Sequence, residues 1–75
     1  EEFSIDKFNS IKGKTVSDSK IRETYGLLVV GIIDNKGNTM QNPGPNVLIE
    51  SDSKIILIGS NDQLTEFNEN AINEP

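Results

Sequence analysis

Cysteine, histidine and tryptophan are absent from this 75-residue chain, and Arg22 is its one arginine. Without cysteine there is neither a disulfide framework nor a thiolate metal site, a composition compatible with a reducing compartment. Without histidine, nucleophilic catalysis of the serine or cysteine kind lacks its usual base. Long hydrophobic runs are missing too. The longest, LLVVGII and IILIG, suit buried strands and fall well short of a membrane span, so direct membrane insertion is not expected. No stretch has the pattern of a signal peptide. Cationic charge is scarce: 7 Lys and Arg stand against 12 Asp and Glu, for a net charge of −5. The cations Lys7, Lys12, Lys14, Lys20, Arg22, Lys36 and Lys54 are spread along the chain without forming a patch, which argues against a nucleic-acid partner. The first residue is Glu1 rather than methionine, and the expectation is a domain excised from a longer protein.

What remains is enough for one small domain spanning residues 1–75. About a third of the residues are apolar, and a domain of this size buries only about 60% of its unfolded surface. Small domains without disulfide or metal often gain stability by association, so a homodimer is expected.

The apolar spacing gives an order of elements. FSIDKFNS, with Phe3, Ile5 and Phe8, reads as a first strand. Gly13 relieves a turn, Ser17 or Asp18 caps a short helix, and Ile21 and Tyr25 share one face of it before Gly26 ends it. LLVVGIID is a strand expected to be covered on both faces, and DNKGN a hairpin-type turn. TMQNPGPNV is a rigid loop or edge, VLI a short strand, ESDS a turn and KIILIGS a second buried strand. Ser60 and Gln63 have capping-box spacing ahead of a stripe of Leu64, Phe67 and Ala71, extended by Ile72, with a tail expected to fray. The expected fold class is α+β: a small mixed or antiparallel sheet, a short helix after the first strand, and a C-terminal helix.

Chemistry-bearing constellations are few. Asp34, Glu50 and Asp52 could supply a pair for acid–base work, and Glu50 and Asp52 could hold a calcium ion, but all three fall in predicted turns and ESDS has no dedicated calcium-loop spacing. Gly31, Gly37 and Gly44 do not make a phosphate loop. An enzyme is not expected, nor a metal or resident cofactor. Asn42–Pro43–Gly44–Pro45 can end a sheet edge, and its stiffness equally suits a pocket wall. Arg22 has two readings: an exposed helical ion pair with Asp18 four residues before it, or one half of an anion site.

Six features in order bear on that choice: Gly13, Ile21–Arg22, Tyr25–Gly26, VVGI, Asn42–Pro43, and SDSKIILIG running into DQLTEF. Over roughly residues 3–70 this pattern resembles the TrkA-C domain, the C-terminal lobe of RCK (regulator of potassium conductance) proteins. The resemblance implies a non-enzymatic, cytoplasmic regulatory module that dimerises. It also implies attachment to a potassium channel, a potassium uptake system or another membrane ion transporter. The family's nucleotide-binding Rossmann lobe is a separate domain and is not carried over. Some members bind cyclic di-AMP across the dimer axis, and the matching positions here are Val16, Ile21, Arg22, Leu28, Val29 and Pro43. A guanidinium pairs bidentately with phosphate oxygens, and the apolar positions would cover adenine faces. Two positions depart from the binders, which tend to be acidic where Lys20 stands and polar where Leu28 stands. The alternative is a purely structural dimerisation module without a small-molecule ligand.

Overall fold

A computed structural model describes residues 1–73. Of the tail 73–75 expected to fray, Asn73 is still part of the last helix, and Glu74 and Pro75 lie outside the described residues. Strand β1 (Glu2–Ser4) is followed by a 3-10 turn at Ile5–Lys7, and two short helices follow, α1 (Val16–Ser19) and α2 (Ile21–Tyr25). Then come β2 (Leu28–Ile33), β3 (Thr39–Gln41), β4 (Lys54–Ile58) and α3 (Asn61–Asn73). The sheet order is β1-β4-β2-β3 and every pairing is antiparallel. The α+β class therefore holds, with the sheet purely antiparallel.

Register decides which side chains reach the core. Phe3 stands opposite Ile55, Ile32 opposite Ile55, and Val29 opposite Leu57, so these residues share the inner face. Phe67 of α3 closes that face, lying 5.1 Å from Phe3 and 4.8 Å from Phe8 between ring centroids, with Tyr25 edge-on at 5.3 Å. Of the stripe expected of α3, Phe67 and Ala71 are buried and Leu64 packs against the core, whereas Ile72 is exposed and does not extend it. Its capping box is formed in both directions. Gln63 N–H donates to Ser60 Oγ at 3.2 Å, and Ser60 N–H donates to Gln63 Oε1 at 2.8 Å.

Several expectations need correction. The first strand stops at Ser4, because Ile5 N–H turns to Ser53 C=O and the chain winds into the 3-10 turn. Thr15, not Ser17 or Asp18, caps α1, its Oγ1 accepting from Asp18 N–H at 3.1 Å. The expected single helix is two, broken at Lys20, whose φ of 57° is left-handed. VLI is not a strand of the sheet: Leu48 makes an isolated bridge with Thr15. The aliphatic strand is not covered on both faces. It is bulged between Val29 and Gly31, and its outward Leu28, opposite Ile58, is half exposed.

Candidate functional site

Thr15 starts α1, and Lys20 then bends the chain so that α2 leaves at a new angle. Tertiary bonds brace this corner. Val16 N–H donates to Val47 C=O and Ser17 N–H to Pro45 C=O, both at 2.9 Å. The proline loop is thereby fixed against α1, while Asn42 N–H donates to Val30 C=O at 3.0 Å and ties the loop to β2. Gly26 ends α2 in a left-handed conformation and sends the chain into β2 through the buried Leu27. These constraints leave a concavity of about 270 Å³ between α1, α2, the start of β2 and the proline loop.

All six positions singled out in the sequence line it: Val16, Ile21, Arg22, Leu28, Val29 and Pro43. Ser17, Glu23, Leu27 and Pro45 line it too and were not anticipated. Pro45 lay within the quoted loop, and Ser17 and Glu23 flank chosen residues, so adjacency was the available signal. The walls are mostly apolar, with Ile21 and Leu27 fully buried.

Arg22 is exposed, and its guanidinium has no hydrogen bond or ion pair among the described residues; its carbonyl is engaged, accepting from Gly26 N–H at 2.8 Å. The Asp18–Arg22 pair is not formed, because the break at Lys20 ends the shared helical phase on which an i,i+4 contact depends. Instead Lys20 Nζ lies 3.8 Å from Glu23 Oε2. An unpartnered guanidinium beside an apolar hollow is chemically suited to an anion that also carries flat apolar surface.

Of the turn carboxylates, Asp34 and Asp52 are hydrogen-bonded. Asp34 Oδ1 accepts from Lys36 N–H at 2.9 Å and Asn38 N–H at 2.8 Å, and Asp52 Oδ2 accepts from Asn35 Nδ2 at 2.7 Å. The amide donated by Asn38 chiefly, and that of Lys36, hold the Asp34 carboxyl below its ordinary value. Among the described residues no three acidic side chains group closely enough to hold a metal ion, and no helix is long and apolar enough to cross a membrane.

A family model described as the TrkA-C domain matches residues 1–71. The K(+)/H(+) antiporter subunit KhtT of Bacillus subtilis (strain 168) is 28% identical over 67 residues, which are 89% of this chain and 41% of that protein. The chain thus spans less than half of this curated relative. Among solved structures, the RCK C domain of the potassium transport protein KtrA, in complex with cyclic di-AMP, aligns with a TM-score of 0.81 and 27% identity. That alignment covers 93% of this chain and 79% of the other. The RCK_C dimer of S. agalactiae BusR, also with cyclic di-AMP, gives 0.80 at 22% identity over 91% and 88% of the two chains, a likeness of fold. A longer BusR chain solved with promoter DNA aligns at 0.83 and 22% identity, covering 97% of this chain and 35% of that one. The sequence-based exclusion of nucleic acid therefore does not extend to longer proteins that carry this fold.

Proposed function

The chain belongs to the TrkA-C domain family, and from that membership and the Arg22 hollow we propose that it is the cytoplasmic regulatory domain of a potassium channel, potassium uptake system or related ion transporter. In this reading it dimerises, and cyclic di-AMP bound at the dimer interface biases the attached gate. The carrying observation is Arg22: the chain's one guanidinium is unpaired among the described residues and opens on an apolar concavity. Arg22 from each of two copies would meet one phosphate each. Val16, Ile21, Leu28, Val29 and Pro43 would cover the base faces. The cyclic di-AMP in the KtrA domain, at 27% identity, supports the choice of ligand. Control of a gate additionally requires that the ligand bind one gate-coupled state better than the other.

Calorimetric titration of the chain with cyclic di-AMP tests this. Saturable binding at one ligand per two chains is expected, and Arg22→Ala should weaken it at least about tenfold, the loss of a charge-assisted bidentate contact. Absence of heat from a folded protein would leave the second reading, a dimerisation module without ligand. That reading draws on the exposed cross-strand pair Leu28 and Ile58.

A further inference from the structure

Away from the Arg22 hollow, β3 forms one edge of the sheet. Its ladder to β2 includes Asp34 N–H to Asn38 C=O at 2.9 Å and Asn42 N–H to Val30 C=O at 3.0 Å. Main-chain groups alternate in direction along a strand, so residues 38, 40 and 42 face β2. Thr39 and Gln41 consequently turn their N–H and C=O groups out from the sheet. Beneath this edge lies a second concavity, of about 360 Å³, between the β2–β3 hairpin and residues 47–53. Met40 stands opposite the buried Ile32 and so lies on the inner face, above the groove. Met40 and Leu48, on its two sides, are 49% and 50% exposed. Carboxylates stand at the rim, Asp34 and Glu50, and among the described residues no cation lines it.

We propose that this edge and groove bind an extended polypeptide segment carrying an apolar residue flanked, at two-residue spacing, by lysine or arginine. Such a segment adds a fifth strand to β3, taking main-chain hydrogen bonds from Thr39 and Gln41. Every second side chain of an added strand points to the groove side. The apolar one enters between Met40 and Leu48, and its basic neighbours meet Glu50 and Asp34. A second copy of this chain fits less well. Its own edge sequence, NTMQN, brings no cation, and self-pairing would bring like-charged rims together.

The test uses the intact chain and a labelled peptide, Thr-Lys-Thr-Leu-Thr-Lys-Thr, followed by fluorescence anisotropy and by backbone amide shifts. Saturable binding with shifts at Thr39, Met40, Gln41 and Leu48 is expected. A control with glutamate in place of lysine should bind at least about tenfold more weakly. Gln41→Pro removes an outward N–H at an edge position that tolerates proline, and Glu50→Lys reverses an exposed rim charge; each should weaken binding at least about fivefold. Melting curves confirm that both variants fold, and Glu50→Lys carries the test if Gln41→Pro does not. Equal binding of the acidic and basic peptides would overturn the proposal, as would binding that survives both variants. Self-association lost in Gln41→Pro, with no peptide binding, would assign the edge to a second copy and overturn it equally.

Discussion

Lys20 sits at φ 57° and ψ 25°, a left-handed conformation that costs an L-residue roughly 1–2 kcal/mol. It separates α1 from α2 and so removes Asp18 from Arg22, leaving the guanidinium available. The ion pair that Lys20 makes with Glu23 is 62% exposed on both sides and belongs to the class worth little. Lys20→Gly should therefore relieve strain at a cost in unfolded-chain entropy of roughly 0.5–1 kcal/mol, leaving stability within about 1 kcal/mol of the parent. Denaturant titration measures this, and a larger loss would mean that the Lys20–Glu23 pair matters more than its exposure suggests. Asp34 gives a pH signature of its own. Its folded-state carboxyl is held below the ordinary value of 3.8 by the Asn38 and Lys36 amides, against a smaller opposing effect of desolvation. A depressed acid contributes stability above its unfolded value and loses it as pH falls through the folded one. Asp34→Asn should thus melt below the parent at neutral pH. The gap should close as pH is lowered past 3.8 toward the depressed folded value, and a gap independent of pH would contradict the linkage.

At the scale of elements, the junction of α2, β4 and α3 turns on Gln63. A Cβ on Gly59 would collide with Leu27 Cδ2 and come within 2.8 Å of Gln63 Oε1, the atom that accepts from Ser60 N–H. Gly59→Ala must displace a fully buried leucine or break the capping box, an overpacking that costs about 1–3 kcal/mol. Thermal melting should show it, with the helical signal otherwise retained; an unchanged midpoint would mean that the corner can shift freely. The same junction shows what the sequence made legible. Ser60 and Gln63 announce a helix start by spacing alone, because both halves of the motif are local. The cap of α1 was misplaced because its start is set by distant carbonyls, Val47 and Pro45, which fix Val16 and Ser17. Val47–Ile49 has strand-like composition, yet it pairs with the 13–16 segment rather than with the sheet: Ile49 N–H donates to Lys14 C=O at 2.8 Å, and Gly13 N–H to Ile49 C=O at 2.8 Å. Five of the six site positions lie within Val16–Val29, where the order of motifs made them readable through the family resemblance. Pro45 was missed because its place in the wall depends on the contact with Ser17.

The whole molecule packs its core on one side of the sheet and leaves an uneven apolar surface on the other. Ile55 and Leu57 of β4 are fully buried, whereas Ile58 is 58% exposed and stands opposite Leu28, itself 52% exposed. Leu28 also lines the Arg22 hollow, so a contact made by this cross-strand pair would adjoin the ligand site. In a two-fold dimer the patch meets its own copy, so one substitution acts twice. If the dimer proposed above uses this patch, ligand and association are linked: cyclic di-AMP spanning two chains must tighten the dimer, and the dimer must tighten ligand binding by the same factor. Ile58→Lys places a charge at the contact without touching Arg22 or the buried core. Sedimentation velocity should then show a concentration-dependent dimer for the parent, shifted to lower concentration by cyclic di-AMP. The variant should remain monomeric and bind the ligand more weakly despite an intact Arg22. A parent that stays monomeric with saturating ligand would remove the shared-site reading. A variant that dimerises like the parent would instead move the contact away from Leu28 and Ile58.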